Sequence, residues 1–558
     1  MDRLLKKYFE KKGYTYEKLA ELETPASQPL MDTEKLCRNL KEIHDKQLHL
    51  VLIPDFDCDG IMSGLVGFTG FKELSFNVNL FVCDPKDGYG FTANTIDIIH
   101  KTMPDTYAIL TSDTGITCAD GIARAKELGM KVFVTDHHQE DANLHTGADI
   151  VVDPCRVDET YPLKTICGAY VIFKVISAYA HMYCDTEEQD RIDRLRVFAG
   201  IGTVSDSMSL VHENRGLVRD AVRIARLVWN NGSDFYVSSL TGSSTYVSAF
   251  RGLFELLCIS FASGQIHYPD DIDESYFGFI VAPMMNSLKR LNLKATTAYK
   301  VFFPADDAER KQAVEILQQA NQKRKTVVSM CENVIDQTEQ PYAPYIYLTE
   351  AHPGILGLVA SKKLNTAKNP VLVLQENEDG SYSGSGRSPV WYNALSRLKQ
   401  GGFKAAGHEY AFGFQADNLD GVKKAYQFLK DDVSLLLQFI KPAEAEPDII
   451  ISTLGDGDTD IDIPLLYEFM NDLHVYGPFG VGFEAPVTAL KFKKDDFDWR
   501  TMSAGQHMRG TRGGFQLLIW NYKDTPFKDK DEITITGKLG INTFQGTSHM
   551  QYIAENFV

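Results

Sequence analysis

The chain has no CxxC pair. Its nine cysteines are scattered, which argues against a zinc knuckle or a disulfide framework and for reduced thiols. It shows no uninterrupted apolar run of the length that spans a bilayer, so no membrane partner is expected. The opening stretch MDRLLKKYFEKKGYTYEKLAEL alternates charge with apolar residues. It reads as an amphipathic helix and not as a signal peptide, and the expected compartment is cytoplasmic. Positive charge is in deficit: 57 Lys and Arg face 75 Asp and Glu, a formal net charge of −18. That is awkward for a chain that approaches nucleic acid, although whole-chain charge governs solubility and non-specific association more than any one groove. Low-complexity tracts and long internal repeats are absent too.

What is present is a globular composition, 44% hydrophobic and 24% charged, over 558 residues. That length is too great for one ordinary core, so several domains are expected. Basic residues are local: Lys289, Arg290 and Lys294, then Lys323, Arg324 and Lys325, then Lys399 and Lys404. Any one of these sets reads first as a solvated helix face.

The informative pattern is a series of short apolar runs that stop at acids and histidines. LHLVLIPDFDCDG carries Asp55, Asp57 and Asp59, TYAILTSDTG carries Asp113, KVFVTDHHQ carries Asp136, His137 and His138, and ADIVVDP carries Asp153. A fifth segment, GTVSDSMSL, supplies Asp206. Runs rich in Val, Ile and Leu that end at a polar turn are how buried parallel strands end. The carboxyl edge of such a sheet is where ligands bind. A lone Asp there is commonly a helix N-cap. Three carboxylates at alternate positions in DFDCDG, with Gly60 to permit a tight turn and a DHH at a neighbouring strand end, are hard to accommodate without a cation. Hard oxygen ligands with imidazole suit Mg²⁺ or Mn²⁺. Two such ions about 3.5–4 Å apart support hydrolysis at a phosphoryl centre and need a shared carboxylate. Asp113, alone between the two richer clusters, is the natural bridge. His137 and His138 together offer one ligand and one phosphate hydrogen-bond donor.

The expected fold class is multidomain α/β. Residues 1–45 read as a helical lead-in and 46–235 as a Rossmann-like parallel-sheet catalytic domain. Residues 236–335 read as a helical connector with one long helix, and 336–440 as a second α/β domain for substrate binding. Residues 441–558 open on a linker with two prolines and three acids in IKPAEAEPDI, then carry short strands at the spacing of an OB-fold β-barrel.

In order along the chain, DFDCDG, SDTG, TDHH and GTVSDSMSL resemble the motifs of the DHH phosphoesterase superfamily. APMMNSLKRL is similar to the RecJ-family segment PRINAAGRL, HPGILGLVASKKL to WHPGVIGIVASRL, and YGPFGVGFEAP to FGPGNPEP. GSGRS and AGHEYAFGF resemble substrate-binding motifs of the DHH-associated domain. The resemblance runs from about residue 48 to 558. It implies a 5′-to-3′ exonuclease of single-stranded DNA using two ions, Mn²⁺ or Mg²⁺, in DNA repair, recombination or replication. A helicase or a single-strand-binding protein would be a further partner. It implies metal ligands at Asp57, Asp59, Asp113, His137 and Asp206. Asp55, counted with the metal set, and Asp136 match acids that orient those ligands, and His138 matches the histidine that contacts phosphate. Asp113, Asp136 and His138 form the catalytic set. Ser385, Gly386, Arg387 and Ser388 match the group that meets the DNA end, Gly407 and His408 the glycine-flanked histidine near the scissile phosphate. His352, Asn286 and Arg290 fall in the matched substrate-binding segments.

There are departures. Asp84 stands where the family has Arg before GYG (Gly88, Tyr89, Gly90), with Lys86 nearby. Met284 and Lys289 stand at the Arg and Gly of PRINAAGRL. The family's GGH and AAG are AGH and AFG here. These changes spare the metal ligands and bear on 5′-end recognition, nucleic-acid preference and processivity. Two other readings compete: a phosphodiesterase of short oligonucleotides or small nucleotides, and a non-catalytic replication scaffold. The C-terminal strand-rich region counts against the first and the intact acid/histidine set against the second. In that region Phe492, Phe515, Trp520, Tyr522 and Phe544, interleaved with Lys491, Lys493, Lys494, Arg509, Arg512 and Lys538, are expected on the resemblance to bind single-stranded DNA collectively, although any one of the aromatics reads first as barrel core.

Overall fold

Among the described residues, three sheets organise the chain. The computed structural model describes residues 1–22, 28–83, 90–139, 147–239, 242–262, 269–407, 409–440, 446–544 and 547–558. The first sheet is parallel throughout, in the order β2-β1-β3-β4-β5. Its strands are β1 (His49–Pro54), β2 (Val78–Leu80), β3 (Thr106–Ser112), β4 (Lys131–Thr135) and β5 (Ile150–Val152). All six residues of β1 are buried, as expected for a strand covered by helices on both faces. One of those helices, Cys58–Glu73, is apolar nearly all round. Another, Gly168–Tyr183, packs against it.

The second sheet is mixed, β6-β7-β8-β10-β9. It comprises β6 (Ile346–Leu348), β7 (Val371–Glu376), β8 (Tyr382–Arg387), β9 (Lys404–Gly407) and β10 (Ala411–Ala416). Only the β6–β7 pair is parallel. The helix Pro353–Ala367 crosses between β6 and β7 and packs on β7 and β8. A 31-residue helix, Asp307–Gln337, precedes this domain.

The third sheet has the order β11-β12-β16-β17-β15-β14-β13. Its strands are β11 (Ile449–Ser452), β12 (Thr488–Lys493), β13 (Asp498–Met502), β14 (His507–Arg512), β15 (Phe515–Ile519), β16 (Glu532–Phe544) and β17 (Thr547–Phe557). With the helix Ile463–Tyr476 it encloses a core of Leu490, Phe492, Phe515, Ile535 and Tyr552.

The chain divides into two compact units that do not follow sequence order. One comprises 1–26, 209–219 and 443–558, the other 27–208 and 220–442. The N-terminal lead-in is therefore split. Leu4, Leu5, Tyr8 and Phe9 of the helix Arg3–Lys12 are buried in the core of the third sheet, whereas the helix Thr33–Asp45 packs on Gly168–Tyr183 and β5. The segment 209–219, placed by the sequence pattern in the catalytic domain, also joins the C-terminal unit. There the Leu210 amide donates to the Val481 carbonyl at 2.7 Å. The Arg215 guanidinium donates to the Pro478 and Tyr476 carbonyls and lies 4.1 Å over the Phe483 ring.

The expectation that no segment has the length and apolarity of a membrane span needs correction. Ser244–Ala262 meets that test, and half of it is buried in this fold. Arg251 and Glu255 interrupt the run in the sequence. In the fold its apolar face packs on the helices Cys58–Glu73, Thr296–Phe302 and Asp307–Gln337, the arrangement of a core helix.

Candidate metal centre

The carboxyl ends of β1, β3 and β4 and the end of the helix Arg196–Ser205 converge. After β1, Asp57 caps the helix Cys58–Glu73 by accepting from the Gly60 amide at 3.2 Å. A Cβ on Gly60 would stand 2.4 Å from the Asp55 backbone, so this turn requires glycine. After β3, Asp113 adopts φ 63°, a left-handed conformation that Asp tolerates better than most residues. After β4, the Asp136 carboxylate accepts from the amides of Ile116 (2.9 Å), His137 (2.7 Å) and His138 (3.3 Å). Asp136 Oδ1 also lies 2.7 Å from His138 Nδ1. Asp206 is the C-cap of Arg196–Ser205.

His137 Nε2 lies 3.0 Å from Asp113 Oδ1, 3.6 Å from Asp206 Oδ2 and 3.8 Å from Asp59 Oδ2. Three sets of donor atoms each fall within 4.8 Å of one another: Asp113, His137 and His138; Asp59, His137 and Asp206; Asp55, Asp57 and Asp113. Asp113 is shared by two sets. Its Oδ1 is buried and makes no hydrogen bond, a costly state for an acceptor. An orphaned carboxylate oxygen facing an imidazole nitrogen and other carboxylates is what a cation site looks like before the cation.

The electrostatics agree. Burial pushes Asp113 well above the usual carboxylate range, and Asp59, Asp57 and Asp55 push it further. Burial raises Asp59 against the pull of His137. Asp55 and Asp206 are raised by burial and then by neighbouring acids. Burial lowers His137 and favours the neutral imidazole that ligates metal. His138 moves the other way, to about 9, chiefly through its hydrogen bond to Asp136. Burial alone would raise Asp136, but its bonds to His138 and the Ile116 amide outweigh that and leave it lowered. The two adjacent histidines are therefore differentiated: His137 faces the acid cluster, and His138 is held on a supporting carboxylate with its side chain 49% exposed.

The sequence pattern marks CGAYVIFKVISAYAHMY as an apolar helix packed on the sheet, as Gly168–Tyr183 is, but not the backbone amides by which it completes the centre. The amides of Gly168 and Ala169, at the start of Gly168–Tyr183, donate to the two oxygens of Asp59 at 2.7 and 3.1 Å. Backbone donors at a helix start favour a carboxylate, but they carry no side-chain signature. The one available signal is a pair of glycines. A Cβ on Gly168 would stand 2.4 Å from Asp113 Cβ and Oδ1, and one on Gly202 2.3 Å from Asp59 Oδ1.

The other expected site residues lie on the second sheet and on the helix Ala282–Arg290. Arg387, at the end of β8, donates from Nε to Ser361 Oγ at 3.1 Å. Its Nη2 stands 2.8 Å from where a Cβ on Gly357 would be, and Ser385 Oγ 3.4 Å from the same point. Within one turn of the same helix, a Cβ on Gly354 would meet the Arg290 carbonyl at 2.4 Å, so that turn lies against both Arg387 and Arg290. A groove of about 590 Å³ is lined by Pro353, Leu356, Ser383, Ser385, Lys404 and Gln415. His352 caps Pro353–Ala367, Nδ1 accepting from the Gly354 amide. Gly386 lies within β8 and Gly407 at the exposed end of β9. Two expected substrate contacts are engaged inside the fold. Asn286 Oδ1 accepts from the Cys58 amide at 2.8 Å, and Ser388 is buried with Oγ accepting from the Ala394 amide. His408, Asp84, Lys86, Gly88 and Tyr89 lie outside the described residues, and the side chain of Phe544 is likewise not described.

In the third sheet the expected stacking face is thinner than its composition suggests. Phe492 and Phe515 are fully buried core, Tyr522 is half-buried, and Trp520 is 46% exposed with its ring 4.7 Å from that of His507. Lys491, Lys493, Arg512 and Lys538 pair with Asp456, Glu532, Asp496 and Glu555, and Arg512 also reaches Asp460. Alternation along strands put half of these aromatics in the core.

With fold and site in view, the likenesses to known proteins fall into place. Residues 49–199 match the DHH family N-terminal domain, 342–435 the DHHA1 domain and 459–556 the RecJ OB domain. The chain thus combines a DHH-family domain with its associated DHHA1 domain. Within that class it is RecJ-like, because the RecJ OB domain follows them in the same chain. It is 27% identical over 454 residues to the single-stranded-DNA-specific exonuclease RecJ of Bacillus subtilis, a match covering 79% of this chain but only 52% of that protein. To the RecJ of Salmonella typhimurium it is 26% identical over 546 residues, covering 91% of this chain and 87% of that one. In structure it is similar to RecJ of Thermus thermophilus in complex with Mn²⁺, with a TM-score of 0.73 and 21% identity, covering 100% of this chain and 76% of that chain.

Proposed function

We propose that this protein is a metal-dependent exonuclease that hydrolyses single-stranded DNA from the 5′ end, with two ions, Mn²⁺ or Mg²⁺. The observation that carries the reading is the buried Asp113 Oδ1, without a hydrogen bond, which belongs to one potential ion set with Asp55 and Asp57 and lies 3.0 Å from His137 Nε2 of another. When bound there, two dications would supply an activated water and neutralise charge at the phosphoryl oxygens.

The chain's own residues do the rest. Asp55, Asp57, Asp59, Asp113, His137 and Asp206 would hold the ions, with Asp113 between them. Asp59 is pre-oriented by the Gly168 and Ala169 amides. His138, kept protonated by Asp136, donates to a phosphate oxygen. Arg387 and Ser385, with Arg290 on the neighbouring helix, would hold the strand end. An Arg fork suits phosphate. Single-stranded DNA is the proposed partner, with a helicase or single-strand-binding protein beside it in DNA repair, recombination or replication.

The test is Mn²⁺-dependent mononucleotide release from 5′-labelled single-stranded DNA, compared with a 3′-labelled strand, a duplex and a dinucleotide. Release restricted to the dinucleotide would replace this reading with a small-nucleotide phosphodiesterase. No Mn²⁺-dependent release from any substrate would leave a scaffold.

A further inference from the structure

Lys289 projects an ammonium into the acid cluster. It lies on the helix Ala282–Arg290, three residues after Asn286, and residues three apart share a helix face. Asn286 fixes that face against the metal loop through its bond to the Cys58 amide. Lys289 Nζ lies 3.5 Å from Asp57 Oδ2, 3.9 Å from Asp55 Oδ2 and 4.2 Å from the centre of the Phe56 ring. Among the described residues it is the one cation paired with either acid. Asp57 Oδ1 is used by the Gly60 amide, so its free oxygen is the one facing Lys289. Asp55, Asp57 and Asp113 form one potential ion set; Asp59, His137 and Asp206 form another that Lys289 does not pair with.

Resting on the metal reading above, we propose that Lys289 is a positioning residue, a tethered counter-ion that a dication must displace from the Asp55–Asp57 edge. The two ion positions are then unequal. The ion at Asp59, His137 and Asp206 binds first. The ion at Asp55, Asp57 and Asp113 binds weakly on its own, because a unit positive charge already neutralises its ligands and would lie beside it. Displaced, the ammonium keeps its cation–π contact with Phe56 and gains a new partner if a phosphate is present. Phosphate and the second ion therefore assist one another, and such coupling is reciprocal. The arrangement loads the full centre when a nucleic-acid phosphate occupies it.

The experiment is calorimetric titration of Mn²⁺ into the full-length protein and its Lys289→Ala, Lys289→Gln and Lys289→Arg variants, with and without thymidine 5′-monophosphate. Expected for the natural chain are two classes of Mn²⁺ site, the weaker tightened by the nucleotide. Lys289→Ala and Lys289→Gln should tighten the weaker class by about tenfold without nucleotide and lose most of the nucleotide effect, while Lys289→Arg keeps both. A merely structural role would not make a variant bind metal more tightly. Identical isotherms in the natural chain and both neutral variants, or an undiminished nucleotide effect in them, overturn the proposal and leave the metal assignment standing. Absence of Mn²⁺ binding in every protein overturns both.

Discussion

At the scale of single residues, the centre is defined by an imbalance. Buried acids are pushed toward their neutral forms, and one carboxylate oxygen of Asp113 has no hydrogen bond. Asp113→Ala should remove the shared ligand and abolish Mn²⁺-dependent hydrolysis while the protein remains folded. Its unfolding midpoint should not fall, because the substitution also relieves burial of a crowded acid. Near-normal turnover in the variant would refute the two-ion arrangement. His138→Ala should behave differently. Its ring is held by Asp136 and half-exposed, not packed between the acids, so turnover should fall by about 100- to 1,000-fold, the cost of one charge-stabilising donor. Mn²⁺ affinity should change little, and calorimetry showing it lost would exchange the roles of His137 and His138.

At the scale of elements, the centre depends on helix ends pressed against strand ends. Gly168→Ala would place a methyl 2.4 Å from Asp113 Cβ and Oδ1. The chain must shift by a fraction of an ångström or more, at a cost of about 1–3 kcal/mol. Mn²⁺ affinity should drop by about 10- to 100-fold, the usual effect of disturbing a ligand's support. A variant with unaltered Mn²⁺ binding and stability would show that Asp113 has room to move. This contact also marks how far the sequence can be read. Strands β1, β3 and β4 were legible because an apolar run and the acid that follows it are contiguous, and burial on both faces leaves the run unbroken. The Gly168 and Ala169 amides were not legible, because any residue supplies an amide and only the fold aims it. Asn286 was read as a substrate contact from its motif, yet its oxygen holds the Cys58 amide. A motif names the residue without naming which neighbour it faces. The sequence offers Phe492 and Phe515 as stacking surface only collectively, each alone reading as barrel core, and period-two alternation does turn them inward.

At the scale of the whole molecule, the C-terminal unit is assembled from three separate stretches of chain, 1–26, 209–219 and 443–558. An amphipathic helix at the N-terminus declares that one face is buried but not by what, so this assembly was invisible in the sequence. Its energetic weight is considerable. Phe9 is 2% exposed and sits edge-on to Tyr476 at 5.1 Å and to Tyr14 at 5.8 Å. Phe9→Ala in the full-length protein should cost about 3–5 kcal/mol of local stability, a large fraction of what a domain usually has. Hydrogen exchange provides the measurement, because it resolves local opening from global unfolding. Amides of β12, β15, β16 and β17 should exchange much faster in the variant, while those of β1, β3 and β4 keep their protection. The same variant tests whether the third sheet contributes to strand binding. If the third sheet guides single-stranded DNA, Phe9→Ala should still cleave very short oligonucleotides at the metal centre but lose affinity and processivity on long strands, and binding by the natural chain should weaken as salt rises. Equal affinity for long strands, measured alongside accelerated exchange in β12 and β15–β17, would move the DNA path off this sheet.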